Sequence, residues 1–304
     1  MISTWKELIE RAQKAEKKKV IVAFPAIHTL DVIEEASRAH LISPVLVGNA
    51  PKIEKLVTST SLAHHDYEII DEVDRDKALA KAIRMARDNG DILMQGHNDH
   101  QTFVDAVLNE GSGLLNGRLA SFVSIFQLLQ RDKLILITDT YLNDYPSLKE
   151  KIAILENALE LTDILEFDSP RKVAAIAAVE QINPSIPATV DAAIISKMSE
   201  RKQFGNVVVE GALDMDCAVS KEAAARKGVK SIVTGNADIY LVPEVETGYL
   251  LSQVLVFIGK MAMAGVLAGT STPAIINLPF VSTENKIAAF ALASLMCAKG
   301  NKNT

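Results

Sequence analysis

KLILITDTYLNDYPSLKEKIAILENALEL, residues 133–161, holds in one span the two periods from which the chain is built. Leu134, Ile135, Leu136 and Ile137 run without polar alternation, the pattern of a parallel strand covered on both faces. Asp139 and Thr140 stop that run. From residue 146 to 161 the apolar positions recur at helical spacing. Upstream, short β-branched runs at 20–24, 44–48, 67–70 and 91–94 are separated by helical stretches such as 30–40 and 75–88, and Gly90 sits where a helix C-cap belongs. Downstream the alternation restarts, with strands expected near 173–178, 206–209 and 239–242 and helices at 189–202 and 221–227. The pattern predicts an α/β fold with mainly parallel sheets and a second α/β unit beginning near residue 139.

Composition narrows the function classes. The chain has 304 residues, 48% hydrophobic and 23% charged, with a net charge of -6, which suits a globular protein with a sizeable core. Its densest basic run is Lys17-Lys18-Lys19, too little for a nucleic-acid face. That run is expected to close a helix and complement its dipole. Cys217 and Cys297 lie in apolar settings without metal-ligand spacing, so neither a disulfide framework nor a cysteine nucleophile is expected. Residues 1–11 are amphipathic, with Thr4 and Glu7 at capping-box spacing, unlike a secretion signal; a cytoplasmic location is the expectation. The apolar stretch 249–268 contains Ser252, Gln253, Gly259, Lys260 and Gly265, and reads as a helix giving way to a strand rather than a membrane span.

Open α/β sheets bind ligands beyond the carboxyl ends of their strands. That rule directs attention to the polar loops 95–98, 139–143 and 277–284. His97, Asp99 and His100 have the look of a metal pair but lack a third strong ligand at a helical interval, so no metal is expected. Gly111, Gly113 and Gly117 are not spaced as GxGxxG and have no accompanying Lys-Ser/Thr, which makes them turn glycines. Two readings stand for Glu284, at the start of a helix: an acid serving the dipole, or a catalytic carboxylate. Arg118 either ends the turn before a strand at Ser121 or holds an anion. His64-His65 reads as a solvated loop, and Met94, Met261 and Met263 as core filler.

The spans 137–161 and 172–243, the latter reading KVAAIAAVEQINPSIPATVDAAIISKMSERKQFGNVVVEGALDMDCAVSKEAAARKGVKSIVTGNADIYLVP, carry a resemblance to a known family. The chain resembles the phosphotransacylases, which exchange CoA for phosphate on an acyl group, and is most similar to the phosphate butyryltransferase branch from Lys19 to Ala298. Positions matching that family include Asp139, Pro146, Asn157, Pro184, Thr189, Asp191, Gly235, Ala237, Asp238, Pro243 and Gly269. The resemblance implies two α/β/α domains, residues 1–138 with 282–304 and residues 139–281. It further implies that the second is inserted in the first, with an active-site cleft between them and a last helix over 283–298.

It also implies a function: acyl-CoA and phosphate exchanging to acyl phosphate and CoA on a short, butyryl-type acyl group, with CoA as substrate, no bound cofactor and a homodimer formed through the second domain. The family's Thr-Ser-Arg-x-Asp-Ser segment is matched here by Asn277, Leu278, Pro279, Phe280, Val281 and Ser282. Its Met-Lys-Gly-Leu is matched by Met94, Gln95, Gly96 and His97, its Ser-His pair by Ser121 and Phe122, and further basic positions by Asp105 and Gln253. Carried over residue by residue, Glu284, Ser282 and Asn277 are the candidate catalytic groups. Arg118, Ser121, Gly96, His97, Asp139, Asp238 and Gly248 are the candidate phosphate and CoA contacts. A relative that binds CoA or acyl-CoA as a sensor, without turnover, is the alternative that the replaced segment leaves open.

Overall fold

The computed structural model describes residues 1–97, 99–128 and 132–300; of Thr283, Glu284, Lys299 and Gly300 it describes the helical backbone only. The contacts divide the chain into a flanking unit, Thr4–Ala120 with Ala262–Thr304, and a central unit, Ser121–Met261 with Met1–Ser3.

The flanking unit opens with α1 (Trp5–Gln13), whose first turn is capped by the Thr4 hydroxyl accepting from Glu7 N at 3.2 Å. The lysine run then enters β1 (Lys18–Ala23) instead of closing a helix. Lys18 meets Glu16 at 2.9 Å and Lys19 meets Glu68 at 3.0 Å, so carboxylates rather than a helix dipole receive their charge. There follow α2 (Ile27–Arg38), β2 (Ile42–Gly48), α3 (Ala50–Val57), β3 (Glu68–Asp71), α4 (Arg75–Asn89), β4 (Ile92–Met94) and α5 (His100–Leu108). Helix α4 is opened by Asp74, which accepts from Lys77 N, and is closed by Gly90 at φ 65, ψ 38, a left-handed conformation that glycine adopts without a Cβ penalty.

The central unit carries β5 (Ser121–Gln127), β6 (Leu134–Thr138), α6 (Leu148–Ile164), β7 (Arg171–Ile176), α7 (Pro187–Glu200), β8 (Val207–Leu213), α8 (Met215–Val219), α9 (Lys221–Arg226), β9 (Ile239–Leu241) and α10 (Val245–Phe257). Ser147 and Glu150 form a capping box at the start of α6. The strand order is β5-β6-β9-β7-β8. The β5–β6 pair is antiparallel, and β6, β9, β7 and β8 pair in parallel. The chain then returns to the flanking unit with β10 (Met263–Ala268), β11 (Ala274–Ile275) and α11 (Thr283–Gly300).

In the flanking unit the strand order is β3-β2-β1-β4-β11-β10. From β1 the chain steps outward to β2 and β3, then crosses back to place β4 on the other side of β1. The order therefore reverses at β1 and β4, and such a reversal leaves a crevice beyond the carboxyl ends of the two strands. Strand β11 pairs in parallel with β4, while β10 runs antiparallel to β11.

The unit boundaries fall at 120/121 and 261/262, earlier at both crossings than the 138/139 and 281/282 expected from sequence. Pairing explains the difference. The β5–β6 ladder and the β6–β9 ladder tie residues 121–138 to the strands that follow, whereas β10 and β11 join β4. Periodicity marks where a strand lies, not which strand it meets. The apolar stretch 249–268 divides into the end of α10 and the strand β10. No helix among the described residues is long and apolar enough to cross a membrane.

Helix α11 is apolar all round, with Phe290, Ala291, Leu292 and Ala293 buried in succession, and it packs on α1, α2 and β10. Phe290 is completely buried. Phe290→Ala is expected to lower the unfolding free energy of this unit by about 3–5 kcal/mol, read from the shift of its urea midpoint.

Candidate active site

At the reversal of strand order, the three residues after β4 are held by main-chain and side-chain bonds to the strands on either side. Gln95 N donates to Ile275 O at 3.0 Å, and the Gln95 side-chain oxygen accepts from Asn277 N at 3.0 Å. A side chain thus extends the β4–β11 ladder one step beyond the last backbone pair. His97 N donates to Phe24 O at 2.6 Å. Between them Gly96 is pressed against β1 so closely that a Cβ would lie 2.0 Å from Ala23 O and 2.6 Å from Phe24 O. Only glycine fits there without moving backbone. The carboxyl ends of β1, β4 and β11 are therefore fixed to one another, with His97 exposed beside them.

Asn277 begins the segment that leaves this corner. Its side-chain oxygen is buried with no hydrogen-bond partner among the described residues, a costly state in a folded protein. Leu278 and Val281 turn inward, Pro279 is exposed, and Leu278 N donates to Ile276 O at 3.1 Å. Ser282 is exposed and its hydroxyl accepts from Asn285 N at 3.3 Å, so it opens α11 as a cap. Glu284 stands in the first turn of α11, and its side chain lies outside the described residues. Two residues further on is Lys286, whose N–H donates to Ser282 O at 3.1 Å. It lies just beyond the loop 277–284 to which the sequence points. Lys286 is half-buried, and burial pushes its ammonium below the usual lysine range.

Arg118 is exposed in the turn before β5, where its N–H donates to Leu115 O at 2.8 Å. The same turn is tied down by Ser271 N donating to Leu114 O at 2.7 Å. His100 forms the first turn of α5, capped by Asp99, and burial lowers its imidazole below the usual range. Asn98 lies outside the described residues.

In the central unit Asp139 follows β6 and is 2% exposed. One carboxylate oxygen accepts from Tyr141 N at 2.8 Å and Leu142 N at 3.0 Å, and the other from Asn143 Nδ2 at 2.5 Å. Gly248, in the first turn of α10, lets that helix touch the same backbone, since a Cβ would sit 2.5 Å from Asp139 O. Asp139 and Gly248 are thus brought together, and Tyr249 packs against Tyr141 with ring centres 5.6 Å apart and ring planes tilted by 47°. Ser121 is fully buried in β5, where its hydroxyl accepts from Asn157 Nδ2 on α6 at 2.9 Å, a bond that pins helix to sheet. Phe122 is buried completely and belongs to the core.

Asp238 is not brought to this end. It precedes β9 whereas Asp139 follows β6, and the two strands are parallel, so the two carboxylates stand at opposite edges of the sheet. Asp238 binds Lys133 Nζ at 2.7 Å and Lys172 Nζ at 3.8 Å, and accepts from Lys172 N at 2.7 Å. Its neighbours make it an ion-pair centre for the amino ends of β6 and β7, away from the strand ends where ligands bind.

The group of potential metal ligands found among the described residues is Asp214, Asp216 and Cys217, not the histidines. Lys227 already serves it as the cation, bonded to Asp214 and, at 2.9 Å, to Asp216. Burial, with Asp214 beside it, pushes the Cys217 thiol up to about 12, and burial does the same to Cys297. Neither thiol ionises near neutrality, which suits inert core positions.

Burial raises the Asp139 carboxyl above the ordinary aspartate value of 3.8, against the pull of the Tyr141, Leu142 and Phe122 main-chain N–H groups and the Asn143 amide. A carboxyl raised on folding contributes no cost where it is protonated in both states, and costs stability as pH climbs from the unfolded value through the raised one. Asp139→Asn, with the Asn143 amide turned to present its oxygen, is expected to have a higher midpoint temperature than the parent at about pH 8, with the gap closing as pH falls toward about 4. Calorimetry across that range checks both the sign and the trend.

Comparison with known proteins places this arrangement. A family model described as phosphate acetyl/butaryl transferase matches residues 67–294. The chain is 38% identical to a phosphate butyryltransferase of Clostridium acetobutylicum, over 99% of this chain and 100% of that one. It is 29% identical to a phosphate acetyltransferase of Thermotoga maritima, over 95% and 98%. Among solved structures, a branched-chain phosphotransacylase from Enterococcus faecalis V583 superposes with a TM-score of 0.80 at 24% identity, covering 92% of this chain and 99% of that one. A phosphotransacetylase from Streptococcus pyogenes gives 0.80 at 16% identity, over 97% and 99%. At these identities the superpositions speak for the fold, and the sequence match over full length speaks for descent: the chain belongs to the phosphate acetyl/butaryl transferase family.

Proposed function

We propose that this protein is an acyltransferase that exchanges CoA and inorganic phosphate on a short-chain acyl group, with butyryl-type substrates preferred. The observation that carries the reading is the 38% identity to a phosphate butyryltransferase along essentially the whole of both chains. In the direction of acyl phosphate synthesis, a phosphate oxygen attacks the thioester carbonyl carbon. The resulting tetrahedral oxyanion collapses with cleavage of the carbon–sulfur bond, and the departing thiolate takes up a proton. Such a reaction needs an anion site, donors for the oxyanion and a group to carry the thiol proton. The corner formed by Gln95, Gly96, His97 and Asn277 is the anchor for these roles. Asn277 and Ser282 supply hydrogen bonds, Glu284 at the start of α11 carries the thiol proton, and Arg118 with helix-terminal amides receives phosphate. Asp139 and Gly248 shape the loop beyond β6 by fixing its backbone. CoA is a substrate here, and the chemistry calls for no bound cofactor.

A second reading has one observation in its favour. Leu278 and Pro279 stand where the family has serine and arginine, and losing one oxyanion donor typically lowers turnover by about 10²–10³. In that reading the protein binds CoA or acyl-CoA without turning it over.

The proposal extends to assembly and location. Leu250, Val254, Phe257 and Ile258 form an exposed apolar stripe along α10 at helical spacing, with Ile258 78% exposed. We assign this stripe to a homodimer in the cytoplasm, because a contiguous apolar face on a helix is otherwise left against water.

Thiol release from butyryl-CoA, isobutyryl-CoA and acetyl-CoA, measured with and without phosphate, tests the activity. Phosphate-dependent release is expected to be fastest with a four-carbon acyl group and to fall about 10²–10⁴-fold in Glu284→Gln. CoA binding without phosphate-dependent release would select the second reading. Phe257→Asp is expected to convert a sedimenting dimer to monomer, and a parent protein that sediments as a concentration-independent monomer would remove the dimer.

A further inference from the structure

We propose that Lys286 is the side chain that holds the anionic oxygens of phosphate, or of the phosphoryl group in acyl phosphate, at the carboxyl end of β11. The inference rests on the exchange reaction proposed above and adds a second cation to the Arg118 and amide groups assigned to its anion site.

The segment 277–282 contains no basic residue. Lys286 is nonetheless tied to it: Asn285 N and Lys286 N donate respectively to the Ser282 hydroxyl at 3.3 Å and the Ser282 carbonyl at 3.1 Å. The position of this lysine is thus set by the residue that ends the segment. Its surroundings differ from those of Lys18, Lys133, Lys151 and Lys172. Lys18 meets Glu16, Lys133 and Lys172 share Asp238, and Lys151 meets Asp191 at 2.7 Å. Lys286 is half-buried with no carboxylate and no side-chain hydrogen bond among the described residues.

Burying an ammonium without a partner is costly. A ligand anion removes the cost. The same stretch of chain carries the converse defect in Asn277, whose buried side-chain oxygen has no donor among the described residues. Hydrogenphosphate, which has both anionic oxygens and an O–H, is chemically able to answer a cation and an acceptor together. The lysine also stands in the first turns of an 18-residue helix, whose amide groups add to the attraction for an anion.

The test compares Lys286→Met and Lys286→Arg with the parent in steady-state kinetics. Loss of a charge-assisted bond is expected to raise the KM for phosphate by about 10-fold or more, with the KM for butyryl-CoA changed less than about 3-fold, and arginine is expected to restore most of the loss. An unchanged phosphate KM in Lys286→Met overturns the proposal. Amine-selective acylation of the parent protein, read peptide by peptide by mass spectrometry, gives an answer that needs neither turnover nor a folded variant. Inorganic phosphate is expected to slow labelling of Lys286 and to leave the exposed Lys52 unaffected; equal labelling with and without phosphate overturns the assignment. Absence of turnover in the parent would sink the exchange reaction while the labelling result still decides whether Lys286 meets phosphate.

Discussion

The contact on which the flanking unit depends is the one between Gly96 and the carbonyls of Ala23 and Phe24. It brings the end of β4 against the end of β1 at the point where the strand order reverses, closer than any residue with a Cβ permits. From that contact the rest of the corner follows. Gln95, fixed on the neighbouring position, turns its side-chain oxygen to the N–H of Asn277 and so directs the segment leaving β11. Ser282 then caps α11, and α11 returns over β10, α2 and α1 to complete the core. One short loop thus links a backbone approach to the placement of the residues proposed for chemistry.

The central unit spends its buried carboxylates differently. Asp139 is matched by the main-chain N–H groups of Tyr141 and Leu142, the Asn143 amide and the Phe122 main chain on β5, so it braces the loop after β6 against the neighbouring strand. Asp238 is matched by two lysines from strands far apart in sequence and joins their amino ends. Both aspartates are equally buried to within a few per cent, 2% and 5% exposed, and yet only the first lies at the strand ends where an open α/β sheet receives ligands. Burial alone therefore does not mark a functional carboxylate. The end of the strand on which it stands does.

The replaced segment 277–282 puts the chemical demand in a physical form. Without its own arginine, the site must draw positive potential from elsewhere, and each charge-assisted hydrogen bond is worth about 1.5–3 kcal/mol. Main-chain amides at a helix start and a half-buried lysine one turn later are sources that need no residue in the segment itself. Such a transfer of charge from loop to helix keeps the cation on a rigid element, where its position varies less than on an exposed turn containing Pro279.

The sequence by itself determined the alternation of strands and helices, the turn at Gly90, the cap at Thr4 and the family to which the chain belongs. These are properties of short spans: an apolar period, a left-handed position and a hydroxyl three residues ahead of its donor can be read locally, as at Thr4, whereas the capping box at Ser147 came from the structure. It also pointed to Gln95–His97 and Asn277–Ser282 as the loops to inspect. The tertiary structure decided which unit β5, β6, β10 and β11 join, because hydrogen-bonded partners separated by up to 182 residues leave no mark in either local pattern. It moved Lys18 and Lys19 from a helix end into a strand, separated Asp238 from Asp139, and buried Ser121 against Asn157. It also revealed Lys286, an ordinary lysine in an apolar helix by its sequence, which is half-buried and has no carboxylate partner among the described residues. Burial and pairing are relations between distant residues, and they exist only once the chain has folded.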